Sequence, residues 1–109
     1  MEYTNKKRSK GEFMDYFDNQ MMNPSENITV GRIINVDRQN RSFTLMTDQR
    51  RSSTIRFNLA DNARLTDIWG RPMNFSCLMP GLRVRVRHAA FMTMSIPPQT
   101  TAFSVRVIH

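Results

Sequence analysis

The stretch Leu82-Arg83-Val84-Arg85-Val86-Arg87-His88 alternates strictly between apolar and basic residues before it ends on a histidine. Successive side chains of a β-strand point to opposite faces of a sheet, so this pattern predicts a strand with one buried and one exposed face. We expect the apolar residues to face a core and the arginines to face the opposite side. These three arginines are Arg83, Arg85 and Arg87.

Four further segments have the β-branched and aromatic content of strands. Gly31 interrupts the first of them, and a glycine inside a strand often marks a bulge or a bend. The first three segments are separated by short polar turns, which predicts a meander. Alternation places Phe43, Phe57 and Phe103 on inward faces, as core residues. The predicted strands are 28–36, 41–47, 53–59 and, at the end of the chain, 101–108.

The region between the third and fourth predicted strands is less regular. Residues 61–67 suggest a turn and a short extended piece, and 67–72 a loop or hairpin tip. Asn74 is placed to begin a short helical turn that runs through Leu78. Five strands with a helical turn before the fourth favour a mostly β, five-stranded Greek-key barrel of the OB-fold type. An SH3-like barrel and a small open sandwich remain alternatives.

The first residues of the chain have a different character. Residues 1–10 form a basic, polar segment, which we interpret as a flexible tail. A capping-box pattern at Ser9 and Glu12 precedes apolar residues at helical spacing, which predicts a short amphipathic helix over residues 11–24. The barrel domain is then expected over residues 25–109. So short a helix is marginal alone, so it should pack on an open end of the barrel or on a second subunit.

The composition narrows the classes of protein. The chain has 109 residues, a hydrophobic fraction of 39% and a net charge of +7, which suits one basic globular domain. Thirteen of the 16 basic residues are arginines, which favour bidentate contacts with anions and stacking. The single cysteine, Cys77, excludes an internal disulfide and suits a cytoplasmic location. We expect no signal peptide and no transmembrane segment.

The strand pattern resembles that of small bacterial OB-like domains of unknown function. Residues 30–37 are similar to their opening strand, residues 78–86 to the fourth strand and its entry, and residues 102–105 to the closing strand. The resemblance covers about residues 28 to 108, and residues 92–99 depart from it. It implies a fold and carries no activity and no site residues.

The arginines of the fourth strand are the main candidate site. Alternate residues of a strand lie about 6.5–7 Å apart on one face, a spacing that suits contacts with successive phosphates. We therefore predict binding of single-stranded nucleic acid, with exposed aromatic residues stacking on bases. An arginine-bearing strand surface that only keeps the sheet soluble is the alternative. The predicted nucleic-acid-binding residues are Arg83, Arg85, Arg87, Arg56, Arg106 and Trp69; Phe91, also in a predicted loop, is a further stacking candidate.

The segment from Phe91 to Gln99 is apolar and methionine-rich although it lies where a loop is expected. Exposed apolar loops form contact surfaces, and methionine suits adaptable ones. The alternatives are a loop that closes the barrel and a surface for a protein partner or a homo-oligomer. The predicted protein-contact residues are Phe13, Phe17 and Met21 in the helix, and Phe91, Met92, Met94 and Ile96 in the loop.

Catalytic and metal-binding patterns are not found in the sequence. Cys77, His88 and His109 lack the spacing of zinc ligands, and Cys77 is expected to be a small buried apolar residue. No nucleophile motif and no glycine-rich phosphate loop occurs. We therefore predict a binding module that is not an enzyme and has no cofactor and no metal.

Overall fold

The computed structural model describes residues 26–48 and 53–108. The predicted tail over residues 1–10, and the predicted helix with Phe13, Phe17 and Met21, lie outside the described residues. Within those residues, no helix is long and apolar enough to cross a membrane.

The described chain forms one closed five-stranded barrel with the strand order β1-β2-β3-β5-β4. Every strand pair is antiparallel except β3 with β5. This order confirms the predicted meander of the first three strands and the predicted OB-like barrel. The strands are β1 Glu26–Asp37, β2 Ser42–Thr47, β3 Thr54–Thr66, β4 Arg83–Ala89 and β5 Gln99–Val107, and a 3₁₀ helix, Phe75–Cys77, precedes β4.

The third strand differs from its prediction because it runs on to Thr66 instead of ending at Leu59. Its ladder with β5 is continuous up to Leu59 and resumes at Arg64, so the residues between them bulge out of the pairing. The turn residues of this segment signal the interruption correctly. They do not end the strand, because its second half pairs again with β5.

The interior of the barrel is filled by the inward faces of all five strands. The rings of Phe43 and Phe57 stack at its centre, 5.4 Å apart, and both are fully buried. Leu78, just after the 3₁₀ helix, is also fully buried. The 3₁₀ helix Phe75–Cys77 is the helical turn predicted to begin at Asn74, although the Asn74 side chain makes no capping hydrogen bond.

Gly31 has a different role from the one its position suggested. The bulge in β1 falls at Ile34, three residues later, where the ladder with β2 shifts between Ile33 and Asn35. At Gly31 the backbone of β2 comes so close that a Cβ atom would lie 2.3 Å from the carbonyl oxygen of Met46. Only glycine avoids this collision while keeping both ladders of β1 intact.

Replacement of Gly31 by alanine is therefore expected to destabilise the barrel. A collision with backbone cannot be relieved by a side-chain rotation, so the strands must separate, at a cost of about 1–3 kcal/mol. Urea unfolding of Gly31→Ala measures this cost, with Asn35→Ala on the same strand as the control. Equal stability of the two variants would show that the close approach at Gly31 does not constrain the barrel.

His88 continues the inward face of β4 and is buried, with 1% of its surface exposed. Its Nε2 atom lies 2.7 Å from Thr29 Oγ1 and its Nδ1 atom 2.8 Å from the carbonyl oxygen of Ala89. The ring packs against Phe57 with its centroid 5.1 Å away. Burial lowers the pKa of His88 below its ordinary value of 6.5, against the opposing effect of the bond to Ala89.

The buried His88 predicts that stability falls in mild acid. The folded barrel holds this ring neutral, so the unfolded chain binds the extra proton below about pH 6.5 and unfolding becomes more favourable as the pH drops further. The free energy of unfolding, measured in urea between neutral pH and pH 5, should decrease. In His88→Gln that decrease should be smaller, and an identical pH profile would contradict the assignment.

Candidate nucleic-acid interface

Strand β4 places its arginines on the outside of the barrel, as the alternation predicts. Val84, Val86 and His88 are buried, whereas Arg85 is exposed and Arg83 and Arg87 are half-buried. The neighbours of β4 are β1 on one edge and β5 on the other. The surface around these arginines is therefore built by the outer faces of β1, β4 and β5, with the second half of β3 beyond β5.

Strand register arranges this surface in two rows across the sheet. In the first row, Arg85 of β4 pairs with Arg106 of β5, and these two pair in turn with residues of β1 and β3, so the row crosses four strands. The second row crosses the same strands through the pair of Arg87 and Ser104. The rows contain Thr66, Arg106, Arg85 and Val30, and Arg64, Ser104, Arg87 and Ile28. We call the surface of Arg64, Arg85, Arg87 and Arg106 the arginine face. It lines a surface cavity of about 230 Å³.

Opposite Arg85, on the neighbouring strand, lies a second arginine, Arg106. Like charges directly across a strand pair destabilise a sheet unless an anion lies between them. Among the described residues, no ion pair involves Arg64, Arg85 or Arg106. The centre of the arginine face is thus a concentration of positive charge that the described part of the chain does not neutralise.

The two outer arginines of β4 do have acidic partners. Arg83 forms an ion pair with Asp48, and Nη1 of Arg87 lies 2.8 Å from Oε1 of Glu26. Arg83 lies two residues before Arg85 on β4, directly opposite Arg32 of β1. The structure therefore distinguishes residues that the sequence treats alike, since only Arg85 of the three is without a described partner.

Arg56, predicted to join this surface, lies elsewhere. Its Nη2 atom donates to Oδ2 of Asp37 at 3.1 Å and to Oγ of Ser42 at 2.8 Å, at the end where β1 turns into β2. Asn40 donates to the same carboxylate, and these bonds, with those from Arg56, lower the pKa of Asp37. Arg56 therefore lies at the β1–β2 turn, apart from the arginines of β4 that the sequence grouped with it.

Trp69 is carried by the loop after β3, which borders the arginine face at Arg106. The carboxylate of Asp67 accepts hydrogen bonds from the backbone N–H groups of Trp69 and Arg71, both at 2.9 Å, which fixes the loop. These bonds lower the pKa of Asp67, and the bond from Arg71 has the largest effect. The Trp69 side chain is 75% exposed, with the Arg71 guanidinium 5.1 Å from its ring centroid. A Cβ atom on Gly70 would lie 3.8 Å from Nη2 of Arg106, so this loop borders the face.

Phe103 lies outside the barrel, which corrects its prediction as a core residue. The β4–β5 ladder pairs Arg87 with Ser104 and His88 with Ala102, so Phe103 is an extra residue on β5. The small Ala102 takes the inward position beside His88, at an end of the barrel that the rings of Phe57 and His88 already fill. Strict alternation of residues cannot reveal a bulge, and this is why the sequence missed Phe103 as a surface residue.

The loop after β4 carries the predicted contact residues in two different positions. Phe91, Met94 and Ile96 are 78%, 100% and 99% exposed, whereas Met92 is half-buried and packs against the core. The loop is internally bonded: Thr93 N donates to the Gln99 carbonyl at 2.9 Å, and the Thr93 and Ser95 hydroxyls are 2.7 Å apart. Met92 therefore anchors the loop, and its exposed apolar residues lie away from the core. Phe91 contributes to no part of the arginine face.

Of the remaining candidate residues, Cys77 is described, whereas His109 lies outside the described residues. Cys77 is exposed, contrary to the prediction of a buried residue, because the short 3₁₀ helix turns it away from the core. Within the described residues, no group of three or more His, Cys, Asp or Glu side chains is close enough together to hold a metal ion.

The barrel is similar to solved OB-like proteins at the level of fold. A Cu(II)-bound variant of CusF from Escherichia coli matches with a TM-score of 0.55 and 12% identity, over 81% of this chain and 98% of that one. The Ag(I)-bound CusF of Escherichia coli matches with a TM-score of 0.53 and 12% identity, over 79% and 98%. A mitochondrial single-stranded DNA-binding protein from S. cerevisiae matches with a TM-score of 0.55 and 12% identity, over 80% and 97%.

No family model and no curated protein sequence matches the chain. At identities this low, the structural matches establish only that these proteins share a small five-stranded barrel. The residues of the binding surface have to be argued from this chain itself.

Proposed function

We propose that this protein is a non-enzymatic, cytoplasmic binding module that holds single-stranded nucleic acid on the arginine face. The observation that carries the proposal is the direct opposition of Arg85 and Arg106 on neighbouring strands, without a carboxylate from the described residues between them. A phosphate bound there accepts hydrogen bonds from both guanidinium groups and removes their mutual repulsion.

The geometry of the face suits an extended chain of phosphates. Arg64 and Arg87 lie in the adjacent row, on either side of Ser104, so positive charge continues across the sheet and along β4. The net charge of +7 adds long-range attraction for a polyanion. The single-stranded DNA-binding protein of S. cerevisiae that shares the barrel supports this class of ligand at the level of fold alone.

The arginine face is not the surface that OB-folds commonly use. Oligonucleotides usually bind across β2 and β3, between the β1–β2 and β4–β5 loops. Here that surface holds Arg56, which Asp37 already neutralises, and the exposed apolar Met46. Arg38 and Arg41 lie on its β1–β2 turn, but no two arginines lie directly opposite each other on β2 and β3. The opposed arginines therefore favour the other side of the barrel, around β4 and β5.

Charge reversal at the centre of the arginine face tests the proposal. Arg85→Glu and Arg106→Glu should each weaken binding of a single-stranded oligonucleotide at least tenfold at low salt. In wild-type protein, log K should fall with log salt concentration, and each lost phosphate contact should reduce that slope by about 0.7. Fluorescence anisotropy of a labelled oligonucleotide at several salt concentrations measures both quantities.

Two matched variants control this experiment. Arg41→Glu makes the same change of charge at the β1–β2 turn, where the guanidinium carbon of Arg41 lies 6.0 Å from the ring centroid of Phe75. This variant should retain the wild-type salt slope. Glu26→Gln removes the acidic partner of Arg87 and should strengthen binding. An equal loss in Arg41→Glu and Arg85→Glu would reject the arginine face, and no binding to wild type at low salt would reject the function.

A second candidate function is self-association through the loop over residues 91–98. The observation that favours it is an internally hydrogen-bonded loop that keeps Met94 and Ile96 almost completely exposed. Beside it, Met46, Met92, Pro97 and Pro98 line an apolar groove that a second copy of the loop can enter. Burial of two such side chains gives about 3–6 kcal/mol toward association.

Substitution of the exposed loop residues tests this second function. Met94→Asp combined with Ile96→Asp should convert an oligomer into a monomer, because two charges would then be buried in the contact. Analytical ultracentrifugation of the full chain measures the change, with Thr101→Asp, an exposed position on β5, as the control. A wild-type protein that sediments as a monomer at high concentration would contradict self-association.

A further inference from the structure

We infer that Phe103 and Trp69 are base-stacking positions at the two ends of the arginine face, so that its ligand is a strand with unpaired bases and not a duplex or a bare polyanion. This inference rests on the proposed function and names the ligand class of the same site. It depends on the β5 bulge, which turns outward an aromatic residue that alternation would have buried.

The surroundings of Phe103 suit a stacked base. Its half-buried ring lies beside Arg87, whose guanidinium carbon is 6.0 Å from the ring centroid. Phe103 also lines an open cavity of about 510 Å³ together with Arg64, Arg87, Glu26 and Asn62. A base that enters this cavity meets an aromatic ring, and its phosphates meet Arg64 and Arg87.

The surroundings of Trp69 repeat this combination. The ring is largely exposed, and Arg71 packs near it at a cation–π distance of 5.1 Å. The loop that carries Trp69 borders Arg106, three residues beyond Phe103 on β5. Three residues of a strand span about 10 Å, so Phe103 and the loop that carries Trp69 lie at opposite ends of this stretch of β5.

Aromatic rings next to arginines serve single strands in particular. In a duplex the bases are already paired and stacked, and only the phosphate backbone is available to such a surface. A bare polyanion would be held by the arginines alone and would not require either ring. Two aromatic–arginine pairs flanking a central arginine pair therefore favour an unpaired strand.

The first test compares two ligands on the wild-type protein. Both are single strands of about 12 nucleotides, one of deoxythymidine and one of abasic deoxyribose-phosphate units, which have equal charge. The deoxythymidine strand should bind at least about 5- to 150-fold more tightly, the effect of stacking one base. It should also quench the fluorescence of Trp69, the one tryptophan in the chain.

Variants locate the effect. Phe103→Leu and Trp69→Leu should weaken binding of the deoxythymidine strand and leave that of the abasic strand unchanged, with the salt slope unaltered because no phosphate contact is lost. Phe91→Leu removes an aromatic residue that is about as exposed as Trp69 but lies outside the face, and should change neither affinity. Circular dichroism confirms that each variant retains the barrel.

The outcomes separate this inference from the proposed function. Equal affinity for the two strands, or unchanged deoxythymidine binding in both variants, would overturn base stacking while leaving the arginine face as a phosphate site. If neither strand binds wild type at low salt, the function and the inference both fail.

Discussion

The structure depends on the pairing of β1 with two neighbours at once. Gly31 and Arg32 belong to both ladders, opposite Thr47 and Met46 on β2 and opposite Val84 and Arg83 on β4. This double pairing closes the barrel, and it requires the close approach to the Met46 carbonyl that only a glycine permits. Once the β1–β4 register is set in this way, every arginine of β4 has a fixed neighbour.

Closure also decides which arginines of the described strands have an acidic partner among the described residues. β4 lies between β1 and β5, so its outward arginines have neighbours on both strands. Arg87, near the end of β4, meets Glu26 of β1, and Arg85, in the middle of β4, meets Arg106 of β5. Arg87 and Arg83 form ion pairs with Glu26 and Asp48, although Arg83 also lies opposite Arg32. In the Arg85–Arg106 pair, neither arginine has an acidic partner among the described residues. An anion bound between these two guanidinium groups would remove their mutual repulsion.

Much of the fold could be predicted because strand alternation and turn residues are local signals. The β4 pattern located its buried and exposed faces correctly, and the helical turn before it indicated the OB-like order. The register shifts at Ile34 and Phe103 were not predictable, since such a bulge is set by the fit between strands and not by the residues of one strand. The bulge at Phe103 shows this, because the residue pattern around it reads as regular alternation, yet Ala102 fits beside His88 and Phe57 where a second ring would not.

The candidate site was predictable in part for the same reason. Arg85, Arg87 and Arg106 could be placed on one face from alternation, but which arginines have acidic partners depends on contacts between residues far apart in sequence. Arg56 illustrates the limit, since its partner Asp37 is brought to it by the β1–β2 turn and the β2–β3 ladder. The loop of Trp69 borders the face only because it folds back toward Arg106 on β5.

The central claim is that ligand binds around β4 and β5 and not across β2 and β3. Titration of isotope-labelled protein with a single-stranded oligonucleotide, followed by NMR of the backbone and arginine side chains, tests it most directly. The account predicts shifts concentrated at Arg64, Arg85, Arg87 and Arg106 and in the loop of Trp69, with Arg56 and Met46 unchanged. Shifts confined to β2, the first half of β3 and the β4–β5 loop would contradict it.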